Sequence, residues 1–214
     1  MKLIIALFIA YTSMSHAAQA AAPAAVDDIP DFTEIALTPA ILKQLRGGGY
    51  VLYMRHGNTD TTRPDRLPSV DLNDCSTQRP LTAEGRRVAA RVGREIRKAG
   101  IPLGEIISSP LCRARDSALA AFGPNFSINN LLMFTSNMTD KDKAPVIEAT
   151  RELISTPVQG KVNRVLVGHT QNLMEIMGYL PKPEGVLVIL KPMGDKHFKY
   201  IASVTPRQWQ TLQP

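Results

Sequence analysis

Two histidines that each end an apolar segment are the residues of this sequence best suited to chemistry. The segment 51–56 is rich in β-forming apolar residues and ends in Arg55 and His56. A second apolar segment, 165–169, ends in His169. Short apolar runs of this kind indicate buried strands, and ligands in open α/β sheets bind beyond the carboxyl ends of the strands. A histidine after a strand also fits a purely structural role, but two of them with an arginine predict one anion-binding site.

These residue types suit a phosphoryl group. The guanidinium groups of Arg55 and Arg113 match pairs of phosphate oxygens and stay charged at any relevant pH. Imidazole, with an ordinary pKa of about 6.5, attacks phosphorus when neutral and donates to a phosphoryl oxygen when protonated. A histidine nucleophile divides phosphate-ester hydrolysis into transfer to nitrogen and then to water. Positioning and charge stabilisation catalyse such transfers, so the residues predict phosphoryl transfer with no metal and no other cofactor.

Strand and helix patterns alternate along the chain and predict how these residues are positioned. Strands are expected at 50–55, 105–108 and 162–167, followed by a hairpin of 185–190 with 198–202. The expected helices are 38–46, 82–99, 110–122, 144–154, 171–177 and a last turn within 206–212. Residues 125–142 are expected to be irregular. The alternation indicates an α/β fold, a three-layer α/β/α sandwich with a mostly parallel central sheet.

The polar segment between residues 57 and 80 is long for a connection inside a compact domain. Loops of that length without secondary structure are usually functional or disordered. Because it starts directly after the first histidine, we expect it to contribute to the site.

The N-terminal residues have the pattern of an export signal. Lys2 precedes a short apolar run, and small residues that suit cleavage follow up to residue 20. We expect a signal peptide at 1–20, a flexible leader at 21–35 and one domain at 36–214. The apolar run is too short to span a bilayer. The mature protein is therefore predicted to be soluble, without stable membrane insertion, and secreted or periplasmic.

The composition argues against a nucleic-acid partner. The 214 residues carry a formal net charge of +6 with 44% hydrophobic residues, which is ordinary for a globular chain. The positive residues are dispersed, and no basic patch is interleaved with the aromatic residues that single-stranded nucleic acid requires. We therefore expect a small phosphorylated ligand and no nucleic acid. The oligomeric state is not predicted.

Four blocks of the sequence resemble those of the histidine phosphatase (phosphoglycerate mutase-like) superfamily. Residues 55–59 are similar to its Arg-His-Gly-x-Thr signature, and residues 81–85 to its Leu-Thr-x-x-Gly helix start. Residues 109–118 resemble its Ser-x-Leu-x-Arg-Ala-x-x-Thr-Ala block, with serine in place of threonine. Residues 167–169 match the block that carries its second histidine. The four blocks stand in the family's order and spacing between residues 50 and 201.

The resemblance implies a phosphoglycerate mutase-like fold and a role for each matching residue. It implies that His56 becomes phosphorylated and that three residues hold the phosphoryl group: Arg55, Arg113 and His169. Asn58 and Arg79 are expected as further substrate contacts, although Arg79 also fits a solvated loop cation.

The proton donor is where the sequence departs from the family. The mutase-like Trp-Glu-Gly segment is absent, and Thr170 stands where the acid phosphatase branch has an acid after its second histidine. Three carboxylates lie in the corresponding region without that context: Asp140, Asp142 and Glu148. Relatives with a Cys-x-x-Gln-Arg loop and a later Glu-Gly step resemble this chain most, so we expect Glu184 to serve as the acid. Alternatively, Glu184 is only a solvent-exposed carboxylate at the start of a strand, without a role in catalysis.

Cys75 and Cys112 are the only cysteines of the chain. An even pair in an exported protein is a disulfide candidate. The resemblance places both segments around one pocket, so we expect the two to be bonded.

These expectations describe an exported, metal-independent phosphomonoesterase that acts through a phosphohistidine. Its expected substrates are small phosphomonoesters or phosphate groups of an envelope glycolipid. Two alternatives remain open at this point. One is an inactive family member that binds anions or glycolipid, and the other is a phosphohistidine-protein phosphatase.

Overall fold

The computed structural model describes residues 32–66 and 70–212. The strands are β1 (Val51–Arg55), β2 (Leu103–Ser108), β3 (Ser127–Ile128), β4 (Asn163–Gly168), β5 (Leu187–Gly194) and β6 (His197–Val204). The helices are α1 (Pro39–Leu45), α2 (Ala83–Lys98), α3 (Cys112–Phe122), α4 (Asp140–Ser155) and α5 (Thr170–Met177). Short 3-10 turns occur at Cys75–Thr77 and Gln208–Thr211. The predicted signal peptide, 1–20, lies outside the described residues.

The strands form one six-stranded sheet in the order β3-β2-β4-β1-β5-β6. The neighbours β3, β2, β4 and β1 are parallel. At the other edge β5 runs antiparallel to β1, and β6 runs antiparallel to β5 and so in the direction of β1. The pairing of β1 with β4 aligns Arg55 with Gly168. Because the two strands are parallel neighbours, the residues that follow them, His56 and His169, emerge side by side.

The sheet is covered on both faces. Alternate side chains of β1 point to opposite faces, as strand geometry requires. Leu52 and Met54 belong to a buried cluster that includes residues of α1, α2 and α3, whereas Val51 and Tyr53 belong to a second cluster with residues of α4 and α5. The predicted three-layer α/β/α sandwich with a mostly parallel sheet is confirmed.

The expectation of irregular structure at 125–142 was wrong at both ends of that segment. Ser127 and Ile128 form β3, a two-residue strand that pairs in parallel with the end of β2. Helix α4 begins at Asp140 because Thr139 caps it, its side chain accepting from the backbone N–H of Asp142. The prediction began this helix at 144, next to Pro145, but the helix contains that proline.

Residues 32–35 of the predicted leader contact the domain. The ring of Phe32 stacks on that of Tyr179 with centroids 4.2 Å apart. The backbone N–H of Ile35 donates to the Tyr200 hydroxyl at 3.1 Å, and Ala36 forms a bridge with Ser203 of β6. None of the described helices has the length and apolar character needed to cross a membrane.

Candidate active site

The two histidines predicted to act together are adjacent. Their ring centroids are 5.3 Å apart, and both residues are buried, with 2% exposure for His56 and 0% for His169. The backbone N–H of His56 donates to the Gly168 carbonyl at 3.1 Å and so continues the β1–β4 ladder past the last strand residue. The parallel register of the sheet therefore brings the histidines together.

His56 is held in the form that a nucleophile needs. Its Nδ1 lies 2.8 Å from the Gly57 carbonyl oxygen. A carbonyl only accepts hydrogen bonds, so Nδ1 carries the proton and Nε2 keeps its lone pair. Burial, and next the charge of Arg113, hold the pKa of His56 well below its ordinary value, although the bond to Gly57 opposes this. The ring is therefore neutral at pH 7.

His169 is fixed through both its backbone and its ring. The Tyr53 hydroxyl donates to the His169 carbonyl and accepts from its N–H, each at 2.9 Å. Ring atom Nε2 lies 2.8 Å from Ser109 Oγ, while buried Nδ1 has no partner among the described residues. Burial and then Arg113 hold the pKa of His169 well below its ordinary value. One ring nitrogen is anchored and the other is left for a ligand.

Arg113 is fully buried and only partly satisfied. Its Nη1 donates to Asp65 Oδ1 at 2.9 Å, and its guanidinium carbon lies 5.4 Å from the centre of the Phe134 ring. Within the described part of the chain, Nε and Nη2 have no partner although both are buried. Such donors are costly to leave unpaired, so this edge of the guanidinium suits an anion.

Arg55 and Glu184 form a pair at the edge of the site. Arg55 donates through Nη1 to the Pro181 carbonyl at 3.0 Å and through Nη2 to Glu184 Oε1 at 3.2 Å. Asn58 Nδ2 reaches Glu184 Oε2 at 3.4 Å. The next residue, Gly185, donates its N–H to the His56 carbonyl at 3.0 Å. The predicted acid therefore lies beside two predicted substrate contacts.

Arg79 lies within electrostatic reach of both histidines. Its charge contributes to the low pKa values of both. Its buried Nε is without a partner among the described residues. This donor is available for the predicted substrate contact.

The disulfide between Cys75 and Cys112 is confirmed, with Cα atoms 5.8 Å apart. Cys112 begins α3 and directly precedes Arg113. Gln78 supports the same junction because its Oε1 accepts from the Cys112 N–H at 2.7 Å. The bond therefore fastens the loop that carries Arg79 to the helix that carries Arg113.

The other acids weighed from the sequence are engaged elsewhere. Asp142 accepts from Thr139 at the start of α4, and Glu148 pairs with Lys196 of the β5–β6 turn. Asp140 lies on the same helix and pairs with Lys143. Glu184 is the carboxylate among these four that pairs with Arg55, the residue next to His56.

Several residues of the site were missed by the sequence analysis as functional candidates. Ser117 accepts from the Gly57 N–H at 3.0 Å and donates to the Arg113 carbonyl at 2.7 Å, so it joins two of the predicted blocks. Ser117 occupies the position of the threonine in the family's Ser-x-Leu-x-Arg-Ala-x-x-Thr-Ala block. This position in the block was the signal that could have identified it. Asp65 and Tyr53 gave no signal, because their partners are far away in the sequence.

Together these groups suit a tetrahedral oxyanion. Five of their buried nitrogen atoms have no partner among the described residues: Nε and Nη2 of Arg113, Nε of Arg55, Nε of Arg79 and Nδ1 of His169. The described residues include no cluster of three or more histidine, cysteine or acidic side chains of the kind that holds a metal ion. What the arrangement offers is a neutral imidazole nucleophile among cationic donors.

Comparison with known families and structures agrees with this geometry. A family model described as the histidine phosphatase superfamily (branch 1) matches residues 51–129, from β1 through β3. That range includes three of the four blocks named above. No curated protein shows a significant match to the chain.

Solved phosphatase structures superpose on the chain, and the first of the following three shows the same fold. The phosphoserine phosphatase of Entamoeba histolytica, in complex with phosphoserine, superposes with a TM-score of 0.52 at 13% identity, over 74% of this chain and 98% of that one. The protein histidine phosphatase SixA with tungstate has a TM-score of 0.49 at 14% identity, with the same coverage. The α-ribazole phosphatase of Shigella flexneri has a TM-score of 0.47 at 14% identity, over 73% of this chain and 96% of that one. The phosphoglycerate mutase-like fold expected from the resemblance is confirmed.

Proposed function

We propose that this phosphatase, whose residues 51–129 match the model of the histidine phosphatase superfamily, is a member of that superfamily and hydrolyses phosphomonoesters through a phosphohistidine formed on His56. One observation carries this proposal. Nδ1 of His56 is bonded to the Gly57 carbonyl, so Nε2 keeps its lone pair, and buried nitrogen atoms of Arg55, Arg79 and Arg113 have no partner among the described residues. A neutral nucleophile surrounded by positive charge is what attack on a phosphate ester requires.

In the first step the phosphoryl group is held by the free edges of Arg113, Arg55 and Arg79. Nε2 of His56 attacks phosphorus, and the bond from phosphorus to the ester oxygen breaks. The leaving oxygen takes a proton from Glu184.

In the second step water attacks the phosphohistidine. The phosphorus–nitrogen bond breaks, inorganic phosphate forms, and the proton of the water passes to Glu184. His169 stabilises both transition states through Nδ1, which becomes a donor when the phosphoryl group is present. The arginines stay charged throughout, and the proposed cycle uses no metal.

The test is hydrolysis of an aryl phosphate by the mature protein in the presence of a chelator. We expect His56→Ala to lower kcat by at least about a thousandfold. The matched control is His197→Ala, because His197 is exposed at the start of β6; its kcat should stay within twofold of wild type. With labelled substrate, acid-quenched wild type should carry an acid-labile phosphoryl group that the His56→Ala variant lacks.

Glu184 is tested by the leaving group. An aryl oxide leaves without much assistance, whereas an alkyl oxide needs a proton. Glu184→Gln should therefore lose far more activity on an alkyl phosphate than on an aryl phosphate. Equal losses on both would remove Glu184 from the role of acid.

The competing functions predict other outcomes of the same assay. A wild-type protein inactive from acidic to neutral pH would be a binding member of the family. Turnover that requires a metal and ignores His56 would refute the mechanism. Activity on a phosphohistidine-bearing protein domain, with none on small esters, would assign the chain to protein phosphatases.

We also propose that the protein works outside the cytoplasm. The signal-like segment 1–20 supports this, as does the disulfide, since such bonds persist in oxidising compartments. Fractionation of expressing cells, with N-terminal sequencing, should find a mature protein that starts near residue 21. A full-length cytoplasmic protein would contradict it.

The proposed substrates are small phosphomonoesters or the phosphate groups of an envelope glycolipid. Phosphate release should be compared across sugar phosphates, phosphoserine and phosphorylated glycolipid. The highest kcat/KM identifies the substrate class.

A further inference from the structure

The carboxylate of Asp65 lies against the buried guanidinium of Arg113. Its Oδ1 accepts from Arg113 Nη1 at 2.9 Å and from the backbone N–H of Arg79 at 2.8 Å. The Asp65 side chain is 10% exposed and that of Arg113 is 0% exposed. One carboxylate oxygen therefore joins the buried cation of the site to the loop that carries the second cation.

Asp65 is held in this place by the loop around it. The backbone N–H of Arg66 donates to the Thr77 carbonyl at 2.8 Å, so the chain at Asp65 runs beside residues 77–79. The disulfide between Cys75 and Cys112 then fastens that part of the loop to the start of α3. A long polar loop thus delivers one carboxylate to a defined position.

The contact leaves a particular edge of Arg113 free. The Nε–H and one N–H of Nη2 point in the same direction and form the side-on fork that matches two phosphate oxygens. Asp65 takes Nη1, and the fork atoms are the buried ones without a partner among the described residues. The Phe134 ring, 5.4 Å from the guanidinium carbon, packs against the same group.

We propose that Asp65 is a positioning residue of the phosphatase, which orients Arg113 so that its fork faces the phosphoryl group bound at His56. This inference rests on the proposed function of the site. Asp65 does not contact the reacting atoms. It acts by hydrogen bonds to Arg113 and Arg79, and a displacement of about 1 Å in such a group is enough to cost about a hundredfold in rate.

A carboxylate beside a phosphate site also repels the phosphate. This repulsion weakens phosphate binding, whereas the orientation of Arg113 strengthens it. An asparagine keeps an oxygen that accepts from Arg113 and from the Arg79 N–H but removes the charge. An alanine removes both. If Asp65 positions Arg113, Asp65→Asn should retain function and Asp65→Ala should lose it; if Asp65 only competes with phosphate, both variants should bind phosphate more tightly.

The experiment measures kinetics on an aryl phosphate and binding of inorganic phosphate by calorimetry. We expect Asp65→Ala to lower kcat/KM about 10- to 100-fold, chiefly through kcat, and to weaken phosphate binding. For Asp65→Asn, both kcat/KM and the affinity for phosphate should stay within about threefold of wild type. The control is Asp60→Ala in the same loop, because the Asp60 carboxylate accepts from the N–H and the hydroxyl of neighbouring Thr62. Circular dichroism and thermal melts confirm that each variant is folded.

Two results would overturn the proposal. Phosphate binding by Asp65→Ala at or above the wild-type affinity would show that Asp65 merely competes with the anion. If Asp65→Asn lost as much kcat/KM and phosphate affinity as Asp65→Ala, the charge or proton of Asp65 would matter and not its hydrogen bonds. If wild type hydrolyses nothing, the proposed function fails, while calorimetry still decides whether Asp65 orients Arg113 for phosphate.

Discussion

Removal of the disulfide is the perturbation whose size follows most directly from the structure. Cys75 and Cys112 are separated by 37 positions in the sequence. In the chain-entropy treatment, a cross-link that closes a loop of that length destabilises the unfolded state by about 4 kcal/mol. For a domain of this size, each kcal/mol shifts Tm by about 2–4 °C. The double variant Cys75→Ser/Cys112→Ser should therefore melt about 8–16 °C below wild type.

The assay is thermal unfolding followed by circular dichroism, with and without a reducing agent. Reduction should lower the Tm of wild type toward that of the double variant and leave the double variant unchanged. The variant is thus the control for side effects of the reductant. Free-thiol titration of the unfolded, unreduced wild type should find no thiol.

Activity provides a second readout of the same change. The bond fastens the loop that carries Asp65 and Arg79 to the start of α3, so its loss should lower kcat/KM at temperatures where the variant is still folded. A Tm difference below about 3 °C, or two titratable thiols in wild type, would refute the reasoning. Unchanged kcat/KM in the folded variant would show that the remaining contacts of the loop suffice.

Three further changes test the site and its supports. Burial holds the pKa values of His56 and His169 well below normal, so below about pH 6.5 the unfolded chain binds protons that the folded chain does not. The free energy of unfolding should therefore decrease as the pH is lowered below that value, and thermal melts at a series of pH values measure this. The decrease should be less steep in His56→Asn. Tyr53→Phe removes both hydrogen bonds to the His169 backbone and should cost about 1–3 kcal/mol and lower kcat; an unchanged denaturation midpoint would contradict this. Gly85→Ala should destabilise α2 by about 1–3 kcal/mol despite alanine's better helix propensity, because its Cβ would collide with the Asn58 backbone; an equal or higher midpoint would refute the contact.

Much of the fold could be predicted from the sequence because its signals are local. The apolar runs at 51–54 and 165–167 are buried strands in the structure, and Thr82 caps α2 as its position suggested. The two-residue strand β3 escaped prediction because two residues show no periodicity. The start of α4 was misplaced because the sequence analysis did not identify Thr139 as the cap of this helix.

The sequence by itself also placed the histidines and arginines at one site, because residues that end parallel neighbouring strands must meet at one sheet edge. It did not reveal that Asp65 pairs with Arg113, 48 positions away, or that the Tyr53 hydroxyl holds the His169 backbone 116 positions away. Those contacts depend on the path of a long loop and on which groups are desolvated together. Only the tertiary structure decides both, because hydrogen bonds between distant segments leave no periodic pattern in the chain.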